Sequence, residues 1–213
     1  MGAEATGELF TVPTCDSCDK PAVVEQAYSG RILCGKHLAK SVRKKISKEL
    51  RAQLLLEKGK HTTILVAVSG GKDSAVLLDA IVDLVGKRRD VTIVAGTVDE
   101  GIEGYRPPSI ECAASLCERL GVEHLVVSYP ELSFIEMDEV VERLPMVIAK
   151  DNDAPRMACS YCGVFRRQGI NHLADKIGAD VIALGHNLDD MAQTVLMNMA
   201  NADIERTLRL APH

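Results

Sequence analysis

The chain has 213 residues, of which 46% are hydrophobic and only 3% aromatic, and its formal net charge is -5. This length fits one α/β domain with a small appendage. The few aromatic residues argue against base recognition by an aromatic stacking platform, and the acidic balance argues against a surface that binds nucleic acid throughout. We expect a cytoplasmic protein, because no apolar run is long enough to span a membrane and no signal peptide opens the sequence.

Four metal-ligating residues stand in two pairs near the N-terminus. After a predicted flexible tail over residues 1–14, Cys15 and Cys18 are followed by Cys34 and His37. This spacing suits a closed tetrahedral zinc site that has no position left for a substrate water. A module of residues 15–37 is too small for a hydrophobic core, so the metal would supply its folding energy. The sequence therefore predicts a structural zinc module.

A basic amphipathic segment follows this module. Apolar residues recur about every four positions from Leu38 to Leu54, which predicts a helix that extends to Lys58. The segment also carries a cluster of positive charges, namely Arg43, Lys44, Lys45, Lys48 and Arg51. We assign residues 38–60 as a basic linker helix and regard its charge as a candidate contact for nucleic-acid phosphates.

A glycine-rich loop follows the first predicted strand, at residues 62–68. The loop reads Ser69-Gly70-Gly71-Lys72-Asp73-Ser74, and a helical pattern begins at its end. Glycines allow a ligand to approach the backbone, and the loop amides with the helix dipole attract an anion. Lys72 adds a mobile positive charge. The spacing is not that of a Walker A motif, but it does predict a phosphate site.

Strands and helices alternate in the rest of the chain. We predict further strands at 91–98, 124–128 and 180–184, and helices at 74–86, 108–120, 133–149, 162–177 and 189–200. This order implies an α/β fold with a parallel sheet, helices on both faces and ligands at the carboxyl ends of the strands.

Several polar residues fall at that predicted ligand edge. We expect Asp99, Gly185 and Asn187 to contact a nucleotide. The candidate Mg²⁺ ligands are Asp73, Asp189 and Asp190. For Asp189 or Asp190 the alternative is a purely structural N-cap role.

A second cysteine pair precedes a predicted helix. Cys159 and Cys162 are followed closely by Arg166 and Arg167. Thiols at a helix N-terminus beside cations should have a lowered pKa. The spacing alone leaves open a redox pair, half of a metal site or buried structural thiols. The remaining cysteines, Cys112 and Cys117, are expected to pack in the core.

Together, the cysteine-histidine module, the glycine-rich loop, the second cysteine pair and the run from Gly185 to Asp190 resemble the TtuA/NcsA group of tRNA 2-thiouridine synthetases. The resemblance covers nearly the whole chain from Cys15 onward. It implies that residues 61–213 form a PP-loop ATP pyrophosphatase domain of the adenine nucleotide α-hydrolase type. It also implies ATP-dependent adenylation of the C2 oxygen of a tRNA uridine, followed by displacement of AMP by sulfur.

The resemblance also implies roles for individual residues. Cys159 and Cys162 would hold a 4Fe-4S cluster with a third cysteine beyond His213, so we expect the domain to be C-terminally incomplete. Lys72, Asp190 and the two cysteines would carry the catalysis. Arg166 is assigned to phosphate binding, because arginine is a poor proton donor.

The expected cofactors are ATP, Mg²⁺, zinc and the cluster. The expected partners are tRNA, a sulfur donor (a ubiquitin-like thiocarboxylate protein or sulfide) and a second copy in a homodimer, without a membrane. Two alternatives remain open. Another AMP-forming PP-loop ligase, acting on tRNA or a small molecule, would not need Cys159 and Cys162, and a non-catalytic tRNA-binding protein would not bind ATP. A persulfide on one of these thiols is the alternative to iron.

Overall fold

The structure is a computed structural model, and it describes residues 12–206 apart from 55, 58, 153 and 204. Most of the predicted tail therefore lies outside the described residues. The chain divides into two compact units, Met1–Leu55 and Leu56–His213. None of the described helices is both long and apolar enough to cross a membrane.

The first unit contains a short hairpin and one helix. Strands β1 (Val24–Gln26) and β2 (Arg31–Leu33) pair antiparallel, and helix α1 spans Gly35–Gln53. Its buried cluster consists of Cys15, Leu33 and Cys34. Two of these three residues are predicted metal ligands, which agrees with a module that lacks a hydrophobic core of its own.

Helix α1 differs from its prediction at both ends. It begins at Gly35, with Cys34 as its N-cap, so His37 lies in the first helical turn. The apolar repeat that marks the helix begins only at Leu38, and so the repeat could not indicate that turn. The helix ends at Gln53 because Leu54 takes an extended conformation. The predicted end at Lys58 lies outside the described residues.

The second unit is built on a parallel four-stranded sheet, which confirms the predicted α/β class. Its strands are β3 (Thr62–Ala67), β4 (Val91–Asp99), β5 (Glu123–Ser128) and β6 (Val181–Ala183), in the order β5-β4-β3-β6. Its helices are α2 (Lys72–Val85), α3 (Arg106–Leu120), α4 (Met137–Lys150), α5 (Ala158–Ile177) and α6 (Leu188–Ala200). A short 3-10 turn spans Pro130–Leu132.

Strand β3 lies inside the sheet and is buried on both faces. Leu65 packs in a core cluster with residues of α4 and α5, while Ile64 and Val66 point to the opposite face. Strand β3 pairs with β4 over six residues and with β6 over three. The carboxyl ends of these strands share one edge, so the segments that follow them, including residues 69–74, are neighbours.

Helix starts account for most differences from the predicted elements. Helix α4 begins at Met137, four residues late, because the 3-10 turn and the positive φ of Ser133 precede it. Helix α5 begins at Ala158, four residues early, so Cys159 and Cys162 lie within the helix. The core assignment is right for Cys117, which is buried, and wrong for Cys112, which is exposed because it lies on another face of α3.

Candidate active site and metal cluster

The four predicted metal ligands of the first unit converge on one point. Their ligand atoms all lie within 4.8 Å of one another. His37 Nδ1 lies 3.4 Å from the Sγ atoms of Cys15 and Cys34 and 3.5 Å from that of Cys18. The Cys18 and Cys34 sulfurs are 3.7 Å apart. Such a closed group of three thiols and one imidazole could hold a metal ion.

The thiols of this group influence one another's protonation. Burial raises the pKa of Cys15, but hydrogen bonds from the Cys34 and Ser17 backbone and from His37 lower it to about 6. At Cys18 a backbone hydrogen bond lowers the pKa, while burial and the neighbouring thiols raise it overall. The cluster therefore stabilises a thiolate without any added cation, and thiolates are the form in which cysteines bind metals.

In the second unit, hydrogen bonds of Ser74 link the two ends of the glycine-rich loop. Its buried hydroxyl donates to Gly71 O at 3.0 Å and accepts from Ser69 N at 3.1 Å. Its Oγ also lies 3.2 Å from Ser69 Oγ. Ser74 thus shapes the loop, and the backbone amides at the start of α2 face the ligand edge.

Gly70 has no room for a side chain. Its φ is +83°, and a Cβ atom built on it would lie 2.1 Å from the carbonyl oxygen of Ser109 in helix α3. Gly71 is the N-cap of α2 and forms no side-chain cap. The two glycines therefore let the loop pass close to α3 and leave the N-terminus of α2 open to an anion.

Lys72 and Asp73 form an exposed pair at this N-terminus. Their Nζ and Oδ2 atoms are 2.7 Å apart, and 86% of the Lys72 side chain is exposed. The ammonium group lowers the pKa of Asp73, as does the Asn187 side chain. Asp73 and Asp190 raise the pKa of Lys72, so the lysine carries its charge at neutral pH.

The predicted run at the end of β6 reaches the same place. A Cβ on Gly185 would lie 3.1 Å from Ser74 Cα, so this run packs against the start of α2. Asn187 and Asp190 form a capping box, with Asn187 N donating to Asp190 Oδ2 at 2.8 Å and Asp190 N donating to Asn187 Oδ1 at 3.0 Å. Asp190 therefore takes part in capping helix α6, while Asp189 is exposed.

The second cysteine pair has defined partners. Tyr129 OH lies 3.2 Å from Cys162 O and 3.5 Å from Cys162 Sγ, and Arg166 Nη2 lies 3.3 Å from the same sulfur. Burial raises the pKa of Tyr129, as do Cys162 and Glu100, so its hydroxyl remains a donor. Cys159 is exposed and lies three residues before Cys162 on the helix, on a shared face.

Two buried charged residues of this site were not predicted. Glu100 is 3% exposed and Arg106 4% exposed, and they form an ion pair. Glu100 Oε1 also lies 2.9 Å from Arg166 Nε. Asp99, which was predicted instead, accepts a hydrogen bond from Gly101 N at 3.0 Å. Residues of both parities are buried at the end of β4, so alternation along this strand does not distinguish Glu100 from Asp99.

A cavity of about 490 Å³ joins the loop to the cysteine helix. Ser69 lines one part of it, Gly163 and Arg166 of α5 line another, and His186 a third. Its size suits a nucleotide-sized ligand. Within the described part of the chain, the N-terminal cysteine-histidine group is the only set of three or more donors suited to a metal. Neither the second cysteine pair nor the candidate Mg²⁺ aspartates form such a set.

Two family models match this chain. A PP-loop domain model matches residues 42–210. A model described as the N-terminal LIM domain of the 2-thiouridine synthetase TtuA matches residues 14–39. The second match contains all four residues of the cysteine-histidine group.

Individual relatives agree with these matches. The tRNA 2-thiolation protein NcsA of Haloferax volcanii is 40% identical over 199 residues, which cover 92% of this chain and 60% of that protein. Cytoplasmic tRNA 2-thiolation protein 1 of Mus musculus is 36% identical, with 92% and 46% covered. The structure of U34-tRNA thiolase NcsA from Methanococcus maripaludis with its 4Fe-4S cluster has a TM-score of 0.74 at 31% identity, with 93% and 62% covered. The chain thus spans about half to three-fifths of these relatives.

Proposed function

Because this chain belongs to the PP-loop family and carries the N-terminal domain of the TtuA group, we propose that it acts in ATP-dependent 2-thiolation of a tRNA uridine. The C2 oxygen of the uridine would attack the α-phosphorus of ATP, and pyrophosphate would leave. A sulfur nucleophile would then attack C2, and the bond to the AMP oxygen would break. The expected partners remain tRNA, a sulfur donor and a second copy of the chain.

The shared cavity is the observation that carries this proposal. Ser69 of the phosphate loop and Arg166 beside Cys162 line the same space. A nucleotide on the loop would therefore share this cavity with Arg166, whose guanidinium contacts the Cys162 sulfur. Loop amides, the dipole of α2 and Lys72 would stabilise the charge that develops on the phosphates.

Cys159 and Cys162 provide part of a ligand set for an iron-sulfur cluster. Two thiols on one helical face would supply two of the three cysteines that the resemblance implies for the cluster. If a cluster is bound here, it would supply an iron to which sulfide can bind. Tyr129 and Arg166 orient Cys162 by donating to its sulfur. Asp73, Asp189 and Asp190 remain the proposed Mg²⁺ ligands.

Loss of the gene should remove one thiolated nucleoside from tRNA. Mass spectrometry of digested tRNA from cells that lack this protein should show no 2-thiouridine derivative at the affected position. Expression of the full protein should restore it. An unchanged nucleoside profile would contradict the proposed function.

We assign the N-terminal metal as zinc. With Zn–S of about 2.3 Å and Zn–N of about 2.0–2.1 Å, a tetrahedron has S···S edges near 3.8 Å and S···N edges near 3.6 Å. The separations of 3.7 Å for Cys18 and Cys34 and of 3.4–3.5 Å for His37 and the sulfurs fit these edges.

Replacing Cys34 by serine should release the metal and loosen the first unit. Cys34 is both a ligand and the N-cap of α1, so its loss opens the cluster and frays the helix start. The zinc content measured by metal analysis should fall from one per chain to well under one, and proteolysis within residues 12–54 should become faster. The exposed Cys112→Ser variant should keep its zinc. Full zinc content in Cys34→Ser would rule out this site.

Replacing Lys72 by alanine should impair ATP use without unfolding the protein. The pair with Asp73 is exposed and screened by solvent, so thermal stability should hardly change. Loss of a phosphate-facing cation should slow pyrophosphate release by about 10²-fold. Lys87→Ala, on an exposed surface, is the control. Equal pyrophosphate-release rates in the two variants would exclude Lys72 from the ATP site.

Helix α1 is the proposed tRNA contact of the first unit. Lys44 and Lys48 are exposed one turn apart, whereas Lys45 lies 3.9 Å from the centre of the Tyr28 ring and packs on it. Reversing Lys44 and Lys48 to glutamate should weaken tRNA binding by about tenfold and flatten its salt dependence. The same charge change at Lys87 and Arg89 should have little effect. If tRNA binding is insensitive both to salt and to the reversal of Lys44 and Lys48, α1 has a packing role only.

A further inference from the structure

Glu100 and Arg106 are the only buried charged residues in the described part of the chain. Glu100 comes directly after β4, and its two carboxylate oxygens face different cations. Oε2 pairs with Arg106, and Oε1 lies 2.9 Å from Arg166 Nε. A buried carboxylate is retained only with such compensation, because burial without it is costly.

Arg106 connects Glu100 to the phosphate loop. Its Nη1 donates to Ser69 O at 3.1 Å, and its Nε donates to Val98 O at 3.1 Å. Ser69 opens the loop after β3, and Val98 lies at the end of β4. Arg106 therefore holds the start of the loop against the neighbouring strand.

Arg166 connects Glu100 to the cysteine pair. Its Nη2 donates to Cys162 Sγ at 3.3 Å. The Arg166 side chain also lines the cavity, and 55% of it is exposed. One guanidinium thus contacts Glu100, the sulfur and the space where a triphosphate would lie. An incoming polyanion would compete with Glu100 and Cys162 for this cation.

We propose that Glu100 is a positioning residue that couples the ATP site to Cys162. Its carboxylate holds Arg106 at the loop and Arg166 at the sulfur. Nucleotide binding at the loop therefore changes the environment of the Cys162 sulfur. This inference rests on the proposed function, since it takes ATP as the ligand of the loop.

The test compares Glu100→Gln with wild type and with Glu111→Gln, an exposed glutamate of α3. A glutamine can accept from one guanidinium, but its NH₂ group would then face the other cation. The full chain is prepared without oxygen and without added iron or sulfide, so that no cluster protects Cys162, and it is alkylated with iodoacetamide with and without saturating ATP. Peptide mass spectrometry reports the rate at Cys162, and the exposed Cys112 is the internal reference.

In wild type and Glu111→Gln, saturating ATP should change the Cys162 alkylation rate by at least about threefold, while the Cys112 rate stays constant. In Glu100→Gln, the ATP dissociation constant should rise by about tenfold. At saturating ATP, the Cys162 rate of that variant should no longer respond. If Glu100→Gln does not fold, Glu100→Asp replaces it. Aspartate keeps the charge but its side chain is one methylene shorter, so the Cys162 alkylation rate should likewise no longer respond to ATP.

An ATP response of equal size in wild type and Glu100→Gln would mean that ATP merely shields the thiol, which would overturn the coupling role. Wild-type protein that binds ATP without any change at Cys162 would overturn it as well. Wild-type protein that fails to bind ATP would contradict the proposed function itself. Equilibrium ATP binding, measured on the same samples, separates these results.

Discussion

Replacing Gly70 by alanine should abolish ATP binding at ordinary concentrations. The new methyl group would lie 2.1 Å from the backbone oxygen of Ser109, and the φ of +83° is strained for any residue with a Cβ atom. Backbone clashes are not relieved by a rotamer change, so the loop must move away from α3. We expect the ATP dissociation constant to rise by at least about 100-fold and stability to fall by about 2–4 kcal/mol.

Gly104→Ala separates the clash from the strain. Gly104 has a φ of +71°, but no atom lies within 4 Å of the position that a Cβ would take there. This variant should lose only about 1 kcal/mol of stability and should bind ATP normally. Calorimetric titration with ATP and thermal unfolding measure both effects. If Gly70→Ala binds ATP as well as Gly104→Ala does, the loop of residues 69–74 is not the phosphate site.

Replacing Cys162 by serine should block sulfur transfer while sparing adenylation. Serine can keep the hydrogen bonds to Tyr129 and Arg166, but it cannot bind sulfur or iron. We expect the 2-thiouridine yield to fall by at least about 10³-fold and ATP affinity to change by less than about twofold. With tRNA present, AMP should remain attached to the uridine.

The matched control for this prediction is Cys112→Ser, which removes an exposed thiol from α3. It should thiolate tRNA at the wild-type rate. A Cys162→Ser enzyme that still completes its reaction would indicate another AMP-forming ligase, for which the cysteine pair is not needed. Failure of ATP binding alone in Cys162→Ser would instead indicate that the cysteine supports the nucleotide site.

Residue spacing predicted the parts of the site that are close in sequence. The two cysteine-histidine pairs and the glycine-rich loop are local patterns, and the structure brings each together. Glu100 and Arg106 were not predicted because each is an ordinary residue type, and their importance depends on burial and on Arg166, which is distant in sequence. Asp99 was predicted instead, since two adjacent carboxylates at the end of a strand that is buried on both faces cannot be told apart from the sequence.

The accuracy of the predicted helix starts also depends on local sequence signals. Helix α6 begins one residue from its predicted start, and its N-cap Asn187 carries a capping box. Helices α1, α2 and α5 begin earlier than predicted, and their N-caps Cys34, Gly71 and Met157 form no side-chain cap. Start signals read from a sequence depend on capping side chains, so helices that lack them are placed by their apolar repeat alone.

The order of the strands in the sheet also has a consequence for synthesis on the ribosome. Strand β6 joins the sheet beside β3, and Thr63 N donates to Asp180 Oδ2 at 2.8 Å across 117 residues of sequence. A nascent chain that has emerged only through β5 already contains the phosphate loop but not the α5 and β6 wall that faces it. The cavity can form only after β6 has emerged and this long loop has closed. A nascent chain that ends before β6 therefore lacks one wall of the cavity beside the loop.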